Sequence, residues 1–110
     1  MQRRPSLLLR DEVSCNRLVI DGQLTELDGL RYTPAGIPRI EMKIRHASIR
    51  EEAGAQRQVQ CEVPALALGE AAQQAALLKV GQPVRVEGFL AQRSMRSMQL
   101  VMHIDKITLE

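Results

Sequence analysis

The clearest signal along the chain is the alternation of apolar and polar positions. Ile40, Met42 and Ile44 alternate with Arg39, Glu41, Lys43 and Arg45 without interruption. A period of two sends one set to a core and the other to solvent, so the stretch predicts a half-buried strand. Leu18, Ile20, Gly22 and Leu24 alternate with Val19, Asp21, Gln23 and Thr25 in an earlier strand, where Gly22 predicts a bulge or a sharp bend. Val59, Cys61 and Val63 alternate with Gln58, Gln60 and Glu62 in a later one. Asp28-Gly29 and Pro34-Ala-Gly-Ile-Pro38 mark a long loop, and Glu51-Glu-Ala-Gly54 reads as a hairpin tip. Such a hairpin would present Arg39, Lys43, Arg45, Gln58 and Gln60 on one surface. The phase of Cys61 makes it a small buried core residue.

The second half is less regular. Gly69 to Leu78 is rich in good helix formers and predicts one short helix. Val80 to Leu90 reads as a turn into a fourth strand, with Val84, Val86 and Gly88 on one face and Phe89 in the core. Gln92 to Gln99 is a polar loop that carries Arg93 and Arg96 and no acid, with Met95 and Met98 beside Arg96 as loop anchors or packing groups. Leu100, Met102, Ile104 and Lys106 then alternate with Val101, His103, Asp105 and Ile107 in a fifth strand.

Three strands, a helix and two strands make the layout of an all-β, five-stranded Greek-key OB-fold barrel with one short helix between strands 3 and 4. A small open sandwich is the alternative. The barrel occupies residues 15–110. Residues 1–14 read as a mobile N-terminal extension, with Arg3, Arg4 and Arg10 available for weak electrostatic contacts. Three leucines in a row there are too few for a secretory signal.

Composition narrows the function classes. Apolar runs extend over only a few residues, far short of the roughly 20 a membrane span needs. Cys15 and Cys61 make no disulfide framework, which points to reduced thiols in a cytoplasm. Adding His46 and His103 gives no ligand spacing for a metal, and no cofactor is implied. Nothing supports catalysis. No Ser-His-Asp or Cys-His arrangement is present, and Glu51-Glu52 falls at a solvated tip rather than in the shielded site acid–base work requires. The formal charge is only +2, but arginine supplies 12 of the 15 basic residues. Arginine is the side chain suited to bidentate phosphate contacts. Aromatics are scarce: Tyr32, Phe89 and no Trp.

Particular motifs add a resemblance. Asn16-Arg-Leu-Val-Ile20, Gly36-Ile-Pro38, His46 with Ser48, Glu51-Glu-Ala-Gly54, Arg57-Gln58, Cys61 and Pro64 occur in order. Val80-Gly81, Val86-Glu-Gly-Phe89 and Leu100-Val-Met-His103 follow. The Gly-Ile-Pro motif and the spaced Glu-Glu-Ala-Gly-x-x-Arg-Gln are the distinctive parts. From Asn16 to Leu109 the chain resembles the primosomal replication protein N (PriB) family of the single-stranded DNA-binding superfamily. The resemblance implies a homodimer that binds single-stranded DNA during replication restart, with the helicase PriA and the protein DnaT as partners.

It also implies basic contacts at Arg31, Arg57, Arg93 and Arg96. Ala55 and Gln60 stand where some family members have aromatics, and Ala47 where an arginine can occur. Base stacking is worth about 1–3 kcal/mol per base, so the loss of two platforms predicts weaker binding dominated by phosphates.

An OB barrel offers its second and third strands and its first and last connecting loops to ligands. Those elements carry Arg31, Tyr32, Arg39, Lys43, Arg45, Arg57, Arg93 and Arg96 as candidate DNA-binding residues. Tyr32 is a candidate stacking surface. Two functions follow: an accessory factor that holds a single strand for the helicase, or an OB-fold adaptor that contacts the helicase with little DNA affinity.

Overall fold

The first long strand closes the molecule by pairing on two sides in turn. In the computed structural model, which describes residues 14–110, β1 (Leu18–Leu27) is followed by β2 (Arg31–Tyr32), β3 (Pro38–Glu52) and β4 (Ala55–Leu68). The helix α1 (Glu70–Ala75), β5 (Pro83–Gln92) and β6 (Leu100–Leu109) complete the chain. The expected extension, with Arg3, Arg4 and Arg10, lies outside the described residues except for Ser14.

The first half of β1 pairs antiparallel with β5, from Leu18↔Gly88 to Gln23↔Pro83. Its second half pairs with β3, from Gln23↔Arg45 to Leu27↔Met42, with a register shift between Leu24 and Glu26. Gly22 sits where the strand changes partners. A Cβ there would press on the Arg45 backbone and lie 2.8 Å from Ile44 Cγ2, so the predicted bend is a close crossing that only glycine permits. The ring runs β1-β5-β6-β4-β3 and back to β1, with β4 and β6 parallel. This is the expected five-stranded closed barrel; β2 only adds two residues to the edge of β3.

The inward phases fill the barrel. Leu24, Ile40, Met42, Ile44, Ala65, Ala67, Val84, Val86, Met102 and Ile104 are all buried. Each large side chain removed from water contributes about 1.5–3 kcal/mol. Ala71, Ala72 and Ala75 of α1 join this core, their small side chains letting the helix sit close. The helix is shorter than its composition suggests. After Ala75 the chain tightens to three-residue bonds, Leu77 N–H to Gln74 O at 3.2 Å and Leu78 N–H to Ala75 O at 3.0 Å. That tightening brings Leu78 against the core.

The β3–β4 hairpin is longer than the alternation alone indicates. Its register is unbroken from Arg39↔Leu68 to Glu52↔Ala55. The tip is a two-residue turn with Ala53 at φ 54° and Gly54 at φ 81°. Two positive φ angles define the turn whose twist matches paired strands. The outer part of the hairpin therefore runs past the barrel.

This length overturns the expectation that Cys61 is core. Cys61 keeps the inward phase, opposite His46, but it is exposed. Phase decides which face a residue joins; the extent of the barrel decides whether that face is covered. Phe89 is also corrected. Gly88 takes the inward position, where a Cβ would land on the His103 carbonyl oxygen. Phe89 must then take the outward phase, where it is 37% exposed and stacks on His103 at 4.9 Å with an interplanar angle of 11°.

Candidate nucleic-acid interface

The outward phase of β3 assembles much of the expected site. Arg39, Glu41, Lys43 and Arg45 project from the barrel while Ile40, Met42 and Ile44 fill it. Arg31 stands directly opposite Arg39, so it joins the same row. Register also puts Gln60 opposite Ala47 and Gln58 opposite Ile49, which extends the outward surface along the hairpin as expected. Ile49 is 64% exposed on that surface.

The loop between β5 and β6 forms the second wall. Arg93 N–H donates to Gln99 O at 2.9 Å and pinches the loop shut at its base. A groove of about 470 Å³ lies between the loop base and the sheet, lined by Lys43, Glu62, Pro64, Arg93, Gln99 and Leu100. Arg96 lies at the exposed loop tip. Met95 and Met98 are 97% and 87% exposed, so neither anchors the loop, which is one of the two roles expected of them.

Two candidates fall elsewhere. Arg57 pairs with Arg50 in the register and so has the phase of Val59 and Cys61, opposite to that of Arg45. It forms an ion pair with Glu52 at 3.2 Å. Tyr32 is 64% exposed but stands opposite Pro38, in the other phase from Arg31. The outward flat pair on the barrel is Phe89 with His103, which the alternation alone does not reveal.

Acids are woven into the basic face. Lys43 Nζ lies 3.5 Å from Glu26 Oε2. Glu41 takes a guanidinium on each oxygen, Arg39 at 2.8 Å on Oε2 and Arg93 at 3.4 Å on Oε1. Burial pushes the Glu41 carboxyl upward, but hydrogen bonds and positive charge from Arg39 and Arg93 outweigh it and hold the group below its ordinary range. Arg31, Arg45 and Arg96 have no ion pair among the described residues. The signal for Glu41 is present in the sequence, since the alternation sets it between Arg39 and Lys43. Its reach to Arg93, far along the chain, is not.

A second groove of about 500 Å³ lies on the other side of the hairpin, where Val59 and Cys61 face Val19, Ile20 and Arg85. His46 braces it. A carbonyl can only accept, so His46 Nδ1 donates to Asp21 O at 2.7 Å, and Nε2 lies 2.8 Å from Ser48 Oγ. Asn16 fixes the entry to β1: its Nδ2 donates to Leu90 O at 2.8 Å and its Oδ1 accepts from Leu90 N–H at 2.9 Å. No helix among the described residues is long and apolar enough to cross a membrane.

A closed five-stranded barrel with a basic outer strand row and an arginine-bearing last loop is an OB fold of the kind used to bind oligonucleotides. A family described as another single-strand binding protein family matches residues 16–106. Replication restart protein PriB of Nitrosomonas europaea is 38% identical over 92 residues, covering 84% of this chain and 85% of that protein. The structure of PriB from Ralstonia solanacearum superposes with a TM-score of 0.79 at 32% identity, covering 88% of this chain and 99% of that one. A variant of the single-stranded DNA binding protein from Thermus aquaticus has a TM-score of 0.70 at 26% identity, covering 87% of this chain and 50% of that one. The chain belongs to the PriB family, within the single-strand binding superfamily.

Proposed function

We propose that this chain binds single-stranded DNA across the outward face of β3 and the loop between β5 and β6, as an accessory protein of replication restart. The observation that carries the reading is the row of Arg31, Arg39, Lys43 and Arg45 beside a groove walled by Arg93. A strand of DNA is a line of phosphates with splayed bases, and a basic track is the surface that follows it. In this reading the protein works in the cytoplasm, holds the helicase PriA on DNA and helps recruit DnaT. It has no catalytic role. The chain's resemblance to PriB proteins supports those partners.

Titration of a labelled oligothymidylate, followed by fluorescence anisotropy at rising salt, tests the DNA-binding part. If about four phosphates are neutralised, log K should fall against log salt with a slope of roughly −0.7 × 4, near −3. Absence of binding even at low salt would replace this reading with the second one, an adaptor that contacts the helicase through the same barrel. The pairing of Arg39, Lys43, Arg57 and Arg93 with carboxylates favours that alternative, because it leaves less charge free for phosphate.

The protein is further proposed to be a homodimer. The hairpin beyond the barrel leaves Val59 and Cys61 over Val19 and Ile20 with the groove between them unfilled. A second copy would supply the missing apolar surface. Light scattering should then return about twice the 12.3 kDa chain mass, and a monomer mass across the accessible concentration range would count against it.

A further inference from the structure

Glu41 is in the wrong place for a residue that merely solvates a sheet face. It stands in the middle of the outward basic row, between Arg39 and Lys43. It also reaches across to Arg93 on the neighbouring loop, so one carboxylate engages two guanidinium groups that arrive from different elements. The Glu41 backbone belongs to the rigid part of the fold: its carbonyl accepts from Asp28 N–H at 2.9 Å, and Ile40 and Met42 on either side are buried. The backbone thus presents the carboxylate on this face, and Arg39 and Arg93 converge on it. A phosphate arriving on this face meets two cations already holding a carboxylate. Phosphate and carboxylate compete for the same planar, two-pronged donor.

We propose that Glu41 is an affinity-limiting residue of the strand-binding face, an internal competitor that occupies Arg39 and Arg93 and must be displaced before DNA phosphates can engage them. This inference rests on the DNA-binding reading above. It adds that the chain's own acid, and not only its missing aromatics, sets how weakly it binds. The energetics are those of exchange. Each guanidinium gives up one anion for another, so its net gain on binding DNA is small, while Arg31, Arg45 and Arg96 gain a partner outright. The carboxylate also remains on this face after displacement, close to the phosphates, and repels them.

The decisive variant is Glu41→Gln, which keeps the shape and hydrogen-bonding oxygen but removes the charge. Binding of labelled oligothymidylate is measured by anisotropy at low salt and along a salt series, for wild type and variant. Glu41→Gln should bind about tenfold more tightly, the gain from releasing one charge-assisted contact. Its salt slope should steepen by roughly 0.7, because removing one negative charge from the face neutralises one more phosphate. Unchanged or weaker binding by a folded Glu41→Gln would overturn the proposal; weaker binding would make Glu41 a support that positions Arg93 for DNA.

Glu41→Ala is the second variant should Glu41→Gln fail to fold. It removes the carboxylate altogether and should also bind about tenfold more tightly than wild type, and unchanged or weaker binding overturns the proposal. The wild-type titration separates DNA binding itself from the competitor role. If wild type binds no DNA at low salt, the DNA-binding reading fails. If it binds and Glu41→Gln binds no better, only the competitor role fails.

Discussion

Arg45→Glu combined with Arg96→Glu should abolish most single-strand binding while leaving the fold intact. These two arginines face solvent and have no ion pair among the described residues. Unlike Arg39 and Arg93, they do not have to leave a carboxylate to meet a phosphate. A contact to a charged group contributes about 1.5–3 kcal/mol. At the low end, losing two costs roughly a hundredfold in affinity, and the two new negative charges add repulsion. The salt dependence should fall in step, from a slope near −3 to about −1.5, as two of roughly four neutralised phosphates are lost. Surface substitutions of this kind usually shift stability by about 0.5 kcal/mol or less, so the thermal midpoint should barely move. Anisotropy titrations at matched salt measure both effects. Wild-type affinity in this variant would place the DNA elsewhere on the molecule.

The largest effect on stability is expected at Gly88. This residue is buried opposite Ile104, next to a register shift between Glu87 and Gly88. A Cβ would meet the His103 carbonyl oxygen, the His103 carbonyl carbon at 2.8 Å and the Ile104 Cα at 3.1 Å. All three are backbone atoms, so no rotamer change makes room, and β5 and β6 would have to part. Gly88→Val should therefore cost more than about 4 kcal/mol. That is a large share of the roughly 5–15 kcal/mol that stabilises a typical domain.

Urea denaturation should show a collapsed midpoint or no folded baseline. Gly29→Ala is the control. Nothing lies within 4 Å of its added Cβ and its φ is not in the left-handed region, so it should be neutral or slightly stabilising. A Gly88→Ala protein as stable as Gly29→Ala would show that β5 and β6 have slack at the bulge.

Phe89 and Cys61 show how far periodicity reaches and where it stops. Alternation correctly separates Ile40, Met42 and Ile44 from Arg39, Glu41, Lys43 and Arg45, because a strand of fixed pleat has only two faces. It also gives Cys61 the right phase and the wrong environment, since nothing local encodes where the rest of the barrel ends. Phe89 misleads because a large aromatic in a strand suggests a core, whereas the inward slot beside it is closed to any Cβ by the β6 backbone. Arg57 joins Arg45 among the candidate contacts through the family resemblance, yet the register puts them on opposite faces.

By itself the sequence determined the five barrel strands, the helix, their order and the outward phase of Arg39, Lys43 and Arg45. Those follow from period, turn residues and composition, which are properties of neighbouring positions. The tertiary structure alone decided which of those charges are free. Arg93 meets Glu41 only because the β5–β6 loop folds over β3, and Lys43 meets Glu26 only because β1 pairs with β3. A charge's effect depends on what lies within a few ångströms of it, and that distance is set by barrel closure rather than by the residue's place in the chain.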